Sequence, residues 1–302
     1  MKFDIIGRRT WWFIISALLL APGLVSMVVQ GFNLGIDFTG GTLLDLNFSQ
    51  PVSVAQVRDV LEQFDLDKSM IQLASESKAT EAATNVIIRT RVLTETERQE
   101  VLAGLNQLGS FDILRIEKVG ATIGSELTRQ AILALAVAAL MMIVYITFRF
   151  EFKFAVSAIL ALLHDVFIVL GVFSIWQLEV DSSFVAALLT IVGYSINDTI
   201  VIFDRIRENL KGHRKGESLA ALVNRSIWQT VMRSLYTGVS VLFCLAALIL
   251  FGGETTKNFA LAMFIGVLAG TYSSIFFASP VWVTWHEYSE RRRIALKVRG
   301  AK

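Results

Sequence analysis

The sequence predicts a polytopic α-helical membrane protein, with six transmembrane helices and one α+β domain inserted outside the membrane. Three observations carry that class. Of 302 residues, 54% are apolar and 18% charged. The charges are so unevenly placed that several stretches of about 18–23 residues are almost free of them, which is the mark of membrane spans. Between the first two stretches, residues 30–129 show strand and helix periodicities instead. The same figures exclude a disordered chain, because apolar content is too high. They exclude a disulfide scaffold, because Cys244 is the one cysteine.

The first span is residues 11–29, with no charge. Lys2, Arg8 and Arg9 precede it as they would a cleaved signal, but the apolar run exceeds the usual ~7–15 residues and no A-x-A site follows. The second is 131–148, flanked by Arg129 and Arg149, and the third is 154–176, with His164 and Asp165 at its centre. The fourth, 184–203, carries Asn197 and Asp198. The fifth is 234–251, with Arg233 at its edge, and the sixth 259–281. At 1.5 Å per residue each is long enough for about 30 Å of hydrocarbon.

Orientation follows from lysine and arginine. Six spans put both termini on one side, and that side holds 18 Lys/Arg against one in the two short loops opposite. Both termini are therefore expected in the cytoplasm, with 30–129 outside. The tail 287–302, with Arg291, Arg292 and Arg293, is read as an anchor at anionic lipid headgroups. The segment 204–233 reads as a cytoplasmic loop whose Leu219, Leu222, Val223 and Ile227 share one face, an amphipathic helix on the inner membrane surface.

The outer domain carries a net charge of −5. Residues 42–48 alternate Leu44, Leu46 and Phe48 with Asp45 and Asn47, a strand pattern. Ser53 and Gln56 form a capping box for a helix with Val54, Val57, Leu61 and Phe64 on one face. Residues 70–74 read as a short strand. In 85–92, Val86, Ile88 and Val92 point inward and Arg89 and Arg91 outward. Thr94 and Glu97 open a second helix, with Val101, Leu105 and Leu108 on one face and Gly109 at its end. Residues 112–119 close the set. The order β-α-β-β-α-β is the ferredoxin-like pattern, which names no function by itself. The domain contains no metal-ligand cluster, phosphate loop or nucleophile elbow, so binding or mechanical work is expected of it, and no cofactor.

Two glycine-bearing segments tether the domain. One holds Gly35, Asp37, Gly40 and Gly41, the other Gly120 and Gly124. They read as tight turns at the membrane surface and as a hinge, and the two readings are compatible.

Asp165 falls near the bilayer midplane and Asp198 toward the cytoplasmic end of the fourth span. Charges at such depths cost at least ~2.5–3.5 kcal/mol, so they are expected to be functional or paired. Low dielectric disfavours the charged form of a carboxyl, which makes proton binding a natural task. His164 and Asn197 stand beside them in sequence, and Arg233 is the candidate ion-pair partner of Asp198, with Asn197, Ser195 and Tyr194 adding hydrogen-bonding groups. Snorkelling of Arg233 to the boundary is the plainer alternative. Gly266 and Gly270 make a GxxxG in the sixth span for close helix packing, and Gly193 is a further packing glycine.

The segment Gly193-Tyr-Ser-Ile-Asn-Asp-Thr-Ile-Val-Ile-Phe-Asp-Arg-Ile-Arg-Glu-Asn209 closely resembles the fourth-span signature of the SecF branch of the SecD/SecF protein-export family. Residues 35–42, the His164-Asp165 pair and the run from Gly266 to Pro280 fit the same family, so the resemblance covers the chain from end to end. It implies a partner SecD, kinship with proton-driven transporters of the RND superfamily, and association with the SecYEG channel and YajC in the inner membrane. It implies use of the proton-motive force to draw preproteins outward after SecA-driven insertion. It implies proton conduction by the Asp of the Asn-Asp-Thr motif and an Arg of the fifth span, here Asp198 and Arg233. No enzymatic role and no nucleic-acid partner are expected.

Two other classes fit the sequence less well. An intramembrane hydrolase would pair Asp165 with Asp198 as a carboxylate dyad, but Asp198 is offset toward the cytoplasm and no H-E-x-x-H or G-x-S-x-G motif is present. An RND-type proton-coupled efflux subunit for small molecules would ordinarily carry both six-span halves in one chain.

Overall fold

The computed structural model describes residues 3–74, 82–149, 151–212 and 216–300. Lys2, Arg214, Lys215 and Lys302, four of the 18 Lys/Arg expected on the cytoplasmic side, lie outside the described residues. The elements in order are α1 (Arg9–Val29), α2 (Ile36–Thr39), β1 (Gly41–Ser53), α3 (Val54–Glu62), β2 (Met70–Ala74), β3 (Ala82–Thr90), α4 (Glu95–Leu105) and β4 (Phe111–Val119). Then come α5 (Ala121–Arg149), α6 (Phe152–Ile175), α7 (Ser182–Lys211), α8 (Leu219–Phe251) and α9 (Glu254–Ser273). A π-helical turn, Ser274–Ala278, leads into α10 (Ser279–Gly300). The chain divides into two compact units, Leu34–Ile132 and the remainder.

In the smaller unit the four strands pair in the order β2-β3-β1-β4, all antiparallel. With two helices between strands in the β-α-β-β-α-β order, this is the ferredoxin-like arrangement. Leu44, Leu46, Phe48, Val57, Leu61, Val86, Ile88, Val101 and Leu105 form the core between sheet and helices. Both capping boxes are in place, Ser53 with Gln56 and Thr94 with Glu97, each side chain taking the other's free backbone N–H.

Three expectations need correction here. The alternation puts Asp45 and Arg89 on an outward face, yet both are buried, and Val92 is exposed because β3 ends at Thr90. The reason is a second apolar patch on the sheet's other face. Ile36 of α2, Leu43, Ile87 and Val119 cluster there, so the central strands are covered on both sides. Val60 also joins the core face of α3, while Phe64 lies beyond its end.

Among the described residues, six helices are long and apolar enough to cross a membrane: Arg9–Val29, Ala121–Phe148, Phe152–Ile175, Ser182–Lys211, Leu219–Phe251 and Thr256–Ile294. Within the larger unit, α1 packs on α6 at a pair of glycines: a Cβ on Gly23 or Gly171 would fall 2.7 Å from the other's Cα. The α9 helix packs on α7 through Gly266, where a Cβ would fall 2.3 Å from Ile191 Cδ1. The absent side chains are what let these helices approach. Gly193 does not belong with them, since nothing lies within 4 Å of a Cβ there. It sits on the exposed side of α7, away from Val192, Ser195 and Ile196.

The amphipathic surface helix is not formed. Residues 204–211 complete α7, and α8 begins at Leu219 and runs unbroken to Phe251. The predicted apolar face is real, but its use differs. Leu222, Val223 and Ile227 are buried in a cluster with Phe154, Phe203, Ile206 and Trp282, with Leu219 packed at its margin. Phe154 stacks on Trp282 with ring centroids 4.5 Å apart.

Residues ahead of α1 join this cluster. Ile5 and Ile6 are buried, and both their backbone N–H groups donate to Asn224 Oδ1, at 3.0 and 3.1 Å. Trp228 donates to the Phe3 carbonyl at 2.9 Å, Trp12 to the Ile5 carbonyl at 2.9 Å, and Arg9 pairs with Glu287 at 2.9 Å.

Candidate functional site

The third, fourth and sixth spans converge on Asp165. It lies in the middle of α6, and its side chain is 0% exposed. Ser195 of α7 donates to Asp165 Oδ2 at 2.6 Å, and Ser273 at the end of α9 donates to the same oxygen at 2.7 Å. On the other side His164 Nδ1 lies 3.0 Å from Asp165 Oδ1. A buried carboxyl is tolerated only when its lone pairs are satisfied, and here three groups on three helices do so. A Cβ at Gly270 would lie 3.6 Å from Asp165 Oδ2 and 3.3 Å from Ser195 Cβ. A larger residue at Gly270 would press on both groups.

His164 is held as a flat plate. Its ring lies against Phe277 at 4.9 Å and Tyr272 at 5.9 Å between centroids. Its Nε2 is buried without a hydrogen-bond partner among the described residues. Tyr272 in turn donates to the Trp12 carbonyl at 3.1 Å and meets Ser16 Oγ at 3.2 Å.

Asp198 lies one turn beyond Ser195 on α7. Ser234 of α8 donates to its Oδ1 at 2.5 Å. Its Oδ2 is buried with no hydrogen-bond partner among the described residues. The neighbouring Thr199 Oγ1 lies 2.9 Å from Ser274 Oγ, the first residue of the π-turn.

The expected ion pair between Asp198 and Arg233 is not formed. Arg233 is near enough for its charge to act on that carboxyl, but it lies on the exposed side of α8. There it lines a cleft of about 370 Å³ with Asp204, Arg205, Glu208 and Tyr145. Adjacent helical residues point about 100° apart, so Ser234 and Arg233 cannot both face Asp198 squarely. Nor do the expected neighbours gather at Asp198. Ser195 serves Asp165, the Tyr194 hydroxyl lies beside Gly238 of α8, 3.4 Å from where a Cβ there would fall, and Asn197 is exposed. The two carboxyls are bonded to separate partners, so the geometry offers no carboxylate dyad. Among the described residues no group of three metal-ligating side chains is found.

Ser234, Ser273, Ser274 and Thr199 were missed as partners in the sequence. A hydroxyl in an apolar helix carries no periodic signal. The one available hint was adjacency, Ser234 beside Arg233 and Thr199 beside Asp198.

The tether glycines lie within the smaller unit, and the two segments pack on each other. Gly40 has φ +71°, and a Cβ on it would fall 2.8 Å from Ala121 Cα. A Cβ on Gly124 would fall 3.0 Å from both Gly40 N and Phe38 O. Gly41 has φ +143° and sits 2.5 Å, at its Cβ position, from the Thr90 carbonyl oxygen. Gly35 precedes α2, Asp37 lies in that helix's first turn, and Gly120 has open space around it.

Comparison with known proteins places the chain in a family. A protein-family model described as "Protein export membrane protein SecD/SecF, C-terminal" matches residues 97–288, and one described as "SecD/SecF GG Motif" matches 25–52. The "Protein translocase subunit SecF" of Acidaminococcus fermentans is 50% identical over 291 residues, covering 96% of this chain and 99% of that protein. The "Protein translocase subunit SecDF" of Bacillus subtilis is 37% identical over 94% of this chain, which spans 38% of it. Among solved structures, SecDF from Thermus thermophilus, titled "a translocon-associated membrane protein", superposes with a TM-score of 0.87 at 37% identity. That match covers 95% of this chain and 39% of the SecDF chain.

Proposed function

The chain belongs to the SecD/SecF protein-export family, and from that premise we propose that it is a SecF-type subunit of the Sec protein translocase. It is a multi-pass protein of the inner membrane, with both termini cytoplasmic and residues 30–129 outside. It acts with SecD beside the SecYEG channel, with YajC and, indirectly, SecA. It uses the proton-motive force, rather than an enzymatic step of its own, to draw preproteins outward.

The observation that carries this reading is a pair of carboxyls buried among membrane-crossing helices, each bonded to hydroxyls of other helices. At Asp198, Ser234 occupies Oδ1 and leaves Oδ2 as the oxygen on which a proton lands. Protonated, the side chain is neutral and rests on Ser234. Deprotonated, it draws the Arg233 guanidinium from its cleft. That exchange shifts α8 against α7, in the way transporters rock one bundle on another about a site in the membrane. The tethers 35–42 and 119–127 pass the motion to the outer domain, which holds translocating chain in one state and releases it in the other.

The test is export into vesicles under an imposed proton gradient. Asp198→Asn should abolish gradient-dependent completion while leaving ATP-driven initiation intact. Normal gradient dependence in that variant would sink the proposal.

A further inference from the structure

We propose that Ser273 and Ser274 are positioning residues, and that the π-turn they open ties the proton occupancy of Asp165 to that of Asp198. This rests on the proton-coupled reading above and deepens it. The two serines are consecutive and both fully buried, yet they serve different sites. Ser273 Oγ donates to Asp165 Oδ2 at 2.7 Å. Ser274 Oγ meets Thr199 Oγ1 at 2.9 Å, and Thr199 adjoins Asp198 on α7.

A π-turn carries an extra residue in its ring, is rare, and is frequent at functional sites. Here it has a second state within reach. Ser273 Oγ already has an alternative acceptor, the Gly270 carbonyl at 3.3 Å. That same carbonyl takes the backbone N–H of Ser274. A charged Asp165 holds the Ser273 hydroxyl strongly, and a neutral one holds it less, since bonds to ionised acceptors are about twice as strong. When the hydroxyl swings to Gly270, it competes with the Ser274 N–H and loosens the start of the π-turn. Ser274 then shifts against Thr199, and Asp198 shifts with it.

The groups facing each carboxyl are few. Asp165 meets His164 on its own helix, Ser195 from α7 and Ser273 from α9, with Tyr272 against the His164 ring. Asp198 meets Ser234 from α8, and the titratable groups whose charge reaches it are Arg233 of α8 and Tyr194 of its own helix.

The experiment is an infrared pH titration of the carboxyl bands in the full subunit, assembled with its partner in liposomes. The Asp165 band is identified by its loss in Asp165→Asn. Asp198→Asn should move the Asp165 midpoint by about one pH unit, the scale of interacting sites. In Ser274→Ala the same replacement should move it by much less, and Thr199→Ala, which removes the bond from the other side, should behave alike. An undiminished shift in both variants, or no shift in the parent, overturns the proposal. Failure of the proton-coupled reading looks different: Asp198→Asn would still export under a gradient, whatever the bands do.

Discussion

Ser234 Oγ donates to Asp198 Oδ1 at 2.5 Å, while its neighbour Arg233 lies on the exposed side of the same helix without an ion pair to that carboxyl. The acid of the fourth span is thus held by a hydroxyl in this state, and its cationic neighbour waits in a cleft. A site built this way can exchange a neutral contact for a charged one without moving either backbone far.

Removing that hydroxyl should be costly. Ser234→Ala leaves both oxygens of a buried carboxyl without a donor, a loss of about 1–3 kcal/mol. Gradient-driven export in vesicles should fall by about 5- to 150-fold, and Ser234→Thr should retain most of it. Equal rates for Ser234→Ala and the parent would detach this bond from transport.

The two kinds of span glycine should separate in a stability assay. Gly266→Ala drives a Cβ to 2.3 Å from Ile191 Cδ1 and 2.4 Å from Cγ1, and should destabilise the detergent-solubilised chain by about 1–3 kcal/mol. Gly193→Ala meets open space and replaces a poor helix former, so thermal unfolding should be unchanged or raised by up to about 1 kcal/mol. A reversed order would contradict the packing of α9 on α7.

At the tethers the discriminating pair is Gly40 and Gly120. Gly40→Ala meets both a positive φ and a backbone contact with Ala121, so limited proteolysis should cut the two tether segments faster in that variant. Gly120→Ala has room, and its protection should match the parent.

Glu97 gives the smaller unit a pH signature. The Arg91 guanidinium, and then the Thr94 N–H and hydroxyl, hold its carboxyl down from 4.5 to about 2. A depressed folded value means the stabilisation is complete above about 4.5 and is lost as pH falls toward 2. Amide exchange of α4 should therefore quicken through that window in the parent. Glu97→Gln keeps the capping geometry and should flatten the dependence, and an unchanged slope would show that another group is responsible.

Much of this was legible in the chain. The spans announced themselves because hydrocarbon tolerates so few charges, and the capping boxes at Ser53 and Thr94 because two residues three apart satisfy two N–H groups locally. What stayed hidden depends on distance. The apolar face of Leu222, Val223 and Ile227 was visible, but not that it buries against Phe203 and Trp282 rather than lipid. Arg89 looked like an outward charge because the strand's second covering, from Ile36, comes from fifty residues upstream. Asp165 and Asp198 stood out by their cost, whereas their serine donors did not, since a hydroxyl among apolar residues costs little and marks nothing.

The contact between Ile5 and Asn224 spans 219 residues of chain. During synthesis at roughly 5–20 residues per second, Ile5 and Ile6 leave the ribosome roughly 10–40 seconds before the side chain that receives their amides exists. Through that interval two adjacent isoleucines beside a nascent span have no native shelter. The membrane surface or a chaperone must keep them, and this end of the bundle can close only after the fifth span begins to emerge.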